Sequence, residues 1–87
     1  MQIDEKALID VTNRLRRVEG QIGGLLRMID DRRDCKDVIT QLAAASRALD
    51  RVGFRILATS LTQCLADGGE HSDNEREELE KLFLALA

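Results

Sequence analysis

A chain of 87 residues that is 44% hydrophobic and 33% charged, with two phenylalanines as its only aromatics and no proline, has room for one domain and no second. No apolar run approaches the ~20 residues that span a bilayer, and Met1-Gln2-Ile3-Asp4-Glu5 lacks the basic-then-apolar order of a secretory signal, so a soluble, cytoplasmic protein with no membrane contact is expected. The net charge of −3 conceals an asymmetry: residues 14–55 carry ten basic against six acidic side chains and residues 56–87 carry two against seven, so the acidic total does not exclude an anionic partner.

From Leu8 the apolar positions Leu8, Val11, Leu15, Val18, Ile22, Leu25 and Ile29 alternate steps of 3 and 4, the seam of a helix that packs on another helix. A first helix over about 4–31 is expected. Gly20, Gly23 and Gly24 lie inside it and weaken it by up to ~1 kcal/mol each unless close packing compensates, so a break there is an alternative.

The charged run Asp30-Asp31-Arg32-Arg33-Asp34 separates this pattern from the next, and Asp34 is a suitable N-cap for a helix opening at Cys35. Val38, Leu42, Ala45, Leu49, Val52 and Ile56 form the second seam, widened by Ile39, Ala43, Ser46, Gly53 and Leu57. This second helix is expected over about 35–66, stopped by Asp67-Gly68-Gly69. Ser72-Asp73-Asn74-Glu75 has capping-box spacing, and Leu79, Leu82, Phe83 and Leu86 make one face of a third helix over about 73–86.

The fold class is therefore all-α, a single domain over 1–87. Two helices of ~40 Å or more at 1.5 Å per residue cannot bury their own seams in so small a chain. A dimer or larger assembly, with the second helix against its copy, is the expectation.

The two cysteines, Cys35 and Cys64, are too few for a disulfide scaffold and stand 29 residues apart on one helix, ~43 Å if it is unbroken. They cannot react within one chain. Antiparallel packing of two copies would bring Cys35 of one near Cys64 of the other, unless the helix breaks near Gly53. Cys35, in the first turn beside Arg32, Arg33 and Lys36, is the better nucleophile; the plain alternative is that a cysteine is a small buried hydrophobe. The one histidine, His71, falls in a Gly-Gly-Glu-His turn, which leaves neither a catalytic base nor a zinc-ligand spacing, so no enzyme is expected.

Arg14 and Arg17, with Gln21, share one strip of the first helix, and Arg16 and Arg27 share another. Arg47, Arg51 and Arg55 form a stripe at steps of four on the second. A solvated face with Glu19 and Asp50 as local partners is the plain reading. Repeated across an oligomer, such stripes suit phosphates, although no helix-turn-helix spacing is present.

Asn13-Arg14-Leu15-Arg16-Arg17-Val18-Glu19-Gly20-Gln21-Ile22, Asp34-Cys35 at a helix start, and Ser60-Leu61-Thr62-Gln63-Cys64 together resemble the copper-sensing operon repressor (CsoR-type) family, which includes nickel/cobalt, formaldehyde and persulfide sensors. The resemblance spans nearly the whole chain. It implies a three-helix protomer, an antiparallel four-helix-bundle homodimer and a homotetramer that binds operator DNA and releases it on sensing. It places the DNA-binding arginines at Arg14 and Arg51, with Arg16, Arg17 and Arg55 as helpers.

In the family's copper sensors the ligands are a cysteine and then a histidine and a cysteine spaced H-x-x-x-C. Here Cys35 and Cys64 match the cysteines, but Ser60 stands at the histidine position, Asp34 stands where a tyrosine often precedes the first cysteine, and Glu80 matches an acidic residue that supports the switch. Serine is a poor ligand for soft Cu(I). The resemblance is thus closest to the persulfide-sensing branch, with a persulfide or polysulfide inducer, Cys35 and Cys64 as sensing thiols and no cofactor. Two-thiolate Cu(I) binding is the alternative, followed by formaldehyde sensing and by a structural coiled coil without a sensing role.

Overall fold

A computed structural model describes residues 2–68 and 72–87 as three helices: α1 (Glu5–Asp30), α2 (Cys35–Asp67) and α3 (Ser72–Leu86). The all-α expectation holds, with no strand among the described residues, and each helix boundary lies within one residue of its expected place. His71 and Gly69 lie outside the described residues, as does the side chain of Ser72, on which the expected capping box depends.

α1 runs unbroken through Gly20, Gly23 and Gly24, so the alternative of a break there is excluded. The close packing that would compensate them is absent within the protomer: a Cβ built at Gly20 meets nothing within 4 Å, and at Gly23 and Gly24 only the Arg27 guanidinium approaches, at 3.7 and 3.9 Å. The helix ends in a Schellman-type closure. The Arg32 N–H donates to the Ile29 carbonyl at 3.1 Å and the Arg33 N–H to the Met28 carbonyl at 2.9 Å, with Arg32 at φ 53. A left-handed non-glycine residue is disfavoured by about 1–2 kcal/mol, partly offset by glycine's greater freedom in the unfolded chain. Arg32→Gly should therefore raise stability by about 0.5–1 kcal/mol, read as a higher denaturation midpoint. A lower midpoint would show that the Arg32 side chain has a stabilising contact of its own.

Asp34 occupies the N-cap position of α2 but makes no side-chain cap bond, which corrects the expected capping role. Its backbone carbonyl instead accepts from the N–H groups of Asp37 and Val38, at 3.0 and 3.2 Å. The negative charge favoured at a helix start comes from Asp37, inside the first turn. At the other end Gly68, at φ 55 and ψ 25, closes α2 with its N–H directed to the Cys64 carbonyl, a conformation glycine adopts without penalty.

α1 and α3 both pack on α2, and among the described residues their backbones do not come close to each other. Val11 and Val18 of α1, Ala45, Val52, Ser60 and Cys64 of α2, and Leu79 of α3 form the buried set. Phe83 meets Phe54 edge to face at 5.4 Å between ring centres, and Leu86 lies so close to Gly53 that a Cβ there would stand 2.6 Å from its Cδ1. The result is a slab of 55 × 24 × 12 Å. Its radius of gyration, 16.8 Å, exceeds the roughly 12 Å of a compact domain of this length. Its accessible surface of 6888 Å² likewise exceeds the roughly 5,100 Å² of a folded monomer of this mass.

Part of the exposed surface is apolar and lies on the two seams. Leu15, Ile22 and Ile29 of α1 are 42%, 48% and 59% exposed, and Leu42 and Leu49 of α2 are 50% and 49% exposed. Among the described residues no helix is long and apolar enough to cross a membrane.

Candidate sensing thiols and basic faces

Cys35 is the first residue of α2 and is exposed, whereas Cys64, one turn from the other end, is 2% exposed. α2 continues without interruption through Gly53, so the thiols sit at opposite ends of one rod, about 43 Å apart at 1.5 Å per residue. This continuity is what antiparallel pairing of the thiols between subunits requires. Within a protomer the two sulfurs are not brought together.

Ser60 lies one turn before Cys64 on the same side of α2 and is 7% exposed, so both are covered by their own chain. Glu80 is exposed and lines a cavity of about 820 Å³ between α2 and α3, whose walls include Leu57, Leu61 and Phe83 but neither cysteine nor Ser60. Asp34 is exposed beside Cys35. Arg33, expected to help the Cys35 thiolate, donates from Nη2 to the Asp37 carboxylate at 3.1 Å, an exposed pair that diverts part of its charge.

Among the described residues no group of three His, Cys, Asp or Glu side chains is close enough to hold an ion. The polar neighbour one turn from Cys64 is a serine hydroxyl, a hard donor ill suited to a soft monovalent cation.

The basic residues divide differently from the sequence expectation. Arg16, Arg17, Arg47 and Arg51 are exposed and make no ion pair among the described residues. Arg14 and Arg55 are paired, and their partner is Asp10 rather than Glu19 or Asp50. Arg14 Nε donates to both Asp10 oxygens, at 3.1 and 3.0 Å, and Arg55 Nε donates to Oδ2 at 2.9 Å. Half of this cluster was visible in the sequence, since Asp10 and Arg14 stand four apart with the acid N-terminal, the favourable order on a helix. The other half depends on how α2 lies against α1.

Partial desolvation pushes the Asp10 carboxyl up, but the hydrogen bonds from Arg14 and Arg55 and their positive charges outweigh it and hold the carboxyl below its usual value. A carboxyl with a depressed folded pKa stabilises the fold above its unfolded pKa of about 3.9, and that contribution is lost as pH falls through the folded value. Melting curves of the wild type and Asp10→Asn should therefore differ near neutrality, with the wild type more stable, and converge as the pH is lowered from about 4. A difference that persists throughout that acid range would show that ionised Asp10 does not hold the helices together.

Known proteins resemble this chain in sequence and in shape. The sequence pattern of the metal-sensitive transcriptional repressors matches residues 8–86. The copper-sensing transcriptional repressor CsoR of Bacillus subtilis is 35% identical over 66 residues, which are 76% of this chain and 65% of that protein. The copper-sensing transcriptional repressor RicR of Mycobacterium tuberculosis is 42% identical over 69 residues, 75% of this chain and 72% of that protein. The matched stretch thus spans about two thirds of these relatives' length. Among solved structures, the nickel-responsive transcriptional regulator InrS superposes with a TM-score of 0.80 at 31% identity, covering 100% of this chain and 98% of that one.

Proposed function

The chain belongs to the metal-sensitive transcriptional repressor family, and from that premise we propose that it is a DNA-binding repressor whose inducer is a persulfide or polysulfide. Cys35 of one protomer and Cys64 of the partner subunit form the sensing pair. One observation carries this reading: α2 is a continuous helix with an exposed thiol at its start, a buried thiol at its end and an incompletely covered apolar seam between them. Antiparallel pairing of two such helices covers the seam and creates two equivalent dithiol sites by symmetry. The excess accessible surface of the protomer supports such a homodimer, and a further pairing into a homotetramer.

The chemistry balances without a metal. The Cys35 thiolate attacks the sulfane sulfur of a persulfide R–S–SH, forming Cys35–S–SH and releasing the thiol RSH. The second thiol then attacks Sγ of Cys35, giving a disulfide and hydrogen sulfide; the two thiols are oxidised and the persulfide is reduced. With a second equivalent of persulfide as oxidant, the product retains one more sulfur as a trisulfide, with two RSH and one hydrogen sulfide released. The crosslink alters α2 pairing, and with it the spacing of the arginines that face DNA: Arg14 and Arg51, assisted by Arg16, Arg17 and Arg55. Release follows only if the two states differ in DNA affinity.

A second reading has its own support, since relatives of this chain are copper-sensing repressors. Two thiolates suffice for linear Cu(I), but the hydroxyl of Ser60 replaces what a third, nitrogen ligand would supply. Intact masses separate the readings. After exposure to a polysulfide donor, denaturing non-reducing spectra should show a covalent dimer carrying added sulfur or a direct disulfide. An unchanged monomer mass, with stoichiometric Cu(I) uptake abolished in both cysteine variants, would replace the sulfur reading with the copper one.

A further inference from the structure

Asp10 stands where the two basic faces meet. Arg14 belongs to α1 and Arg55 to α2, yet both donate through Nε to this single carboxylate, at 3.0 and 2.9 Å to Oδ2. All three side chains remain open to solvent, at 35%, 55% and 38% exposure for Arg14, Arg55 and Asp10. Nε is the inner edge of a guanidinium. The terminal Nη nitrogens of both arginines donate to no group among the described residues, and these are available for a planar contact with phosphate.

Resting on the DNA-binding reading above, we propose that Asp10 is a positioning residue that holds Arg14 and Arg55 as one two-guanidinium fork for the phosphates of duplex DNA. A carboxylate on a DNA-binding face would ordinarily repel a polyanion. In this cluster two positive charges flank one negative, so attraction survives while two long side chains are already ordered before binding. The rotamer freedom they would otherwise lose on contact with phosphate is lost in advance. One arm of the fork comes from each helix, so it exists only in this register of α2 on α1. A displacement of α2 that separates Arg55 from Asp10 takes the fork apart, which links the state of that helix to DNA affinity. Arg16, Arg17, Arg47 and Arg51 make no ion pair of this kind among the described residues, so their phosphate contacts depend less on the register.

The test compares the full chain with Asp10→Asn, Asp10→Glu and Arg51→Ala. Each is titrated onto a short fluorescent duplex enriched by the wild type from a random library, at several salt concentrations, with its melting curve recorded alongside. Asp10→Asn should bind about tenfold more weakly despite the loss of a negative charge, as two side chains lose their preorganisation. It should also show a shallower salt dependence as two phosphate contacts weaken, and Asp10→Glu should recover most of the affinity. Equal or tighter binding with a steeper salt dependence would overturn the proposal, leaving Asp10 as a charge that opposes DNA. So would a loss of affinity that disappears when Asp10→Asn is cooled until fully folded, since the role would then be structural. If the wild type enriches no duplex, the DNA-binding reading itself has failed and this inference falls with it, whereas Arg51→Ala binding as tightly as the wild type would remove Arg51 from the DNA-binding face and leave the fork standing.

Discussion

Cys35→Ala should take up no sulfur from a polysulfide donor, whereas Cys64→Ala should become a monomer with sulfur added at Cys35, and neither should release DNA. The difference between the two variants follows from burial. Cys35 is exposed and meets the reagent first, while Cys64 is 2% exposed and can act only on a sulfur delivered to it by the partner subunit. A resolving thiol shielded in this way also protects the reduced protein from oxidation at the wrong sulfur. Coupling between a sensing site and a second site is typically about 1–3 kcal/mol, so DNA affinity of the wild type should fall between about fivefold and a hundredfold on exposure to donor. Both variants should change by less than about twofold, a limit set well below that coupling. Binding competition and intact mass on the same samples check both statements. Sulfur uptake by Cys35→Ala would show that Cys64 is reached directly and would reverse the order of the chemistry.

Val52→Asp should abolish the folded protomer. α2 is the one element on which both other helices pack, and Val52, 3% exposed, lies in the middle of its buried side. A carboxylate there has to be dehydrated or else taken up as the neutral acid, and either outcome costs several kcal/mol, about 3 or more. A small domain has about 5 kcal/mol or less to lose before assembly is counted. Val52→Ala removes two methyl groups and leaves a small cavity, for about 2 kcal/mol, so it should fold with a lowered midpoint. Helical circular dichroism and chemical denaturation of the two variants measure this contrast. A folded Val52→Asp of wild-type stability at neutral pH would mean that the core of the slab lies elsewhere.

The helices themselves were legible in the residues. Alternating 3 and 4 steps of apolar side chains, the charged run before Cys35 and the glycine after Asp67 are local signals, acting over one or two turns, and they located each boundary within one residue. The same continuity placed Cys35 and Cys64 at opposite ends of a rod. An apolar seam, however, specifies only that a face will be covered and not by what. Leu15 and Val18 are equivalent in the pattern, yet one is 42% and the other 4% exposed, because the rotation of α1 on α2 selects between them.

Tertiary structure decided the rest, for the same physical reason. Whether Asp34 caps with its side chain, and which acid answers Arg55, depend on angles and offsets between helices or across a turn. Such quantities are set by the packing of many side chains at once and leave no periodic trace in the chain. Asp10 shows the division within one residue. Its pairing with Arg14 follows from a spacing of four on one helix, while its pairing with Arg55, 45 residues away, exists only because α2 lies against α1 in this register.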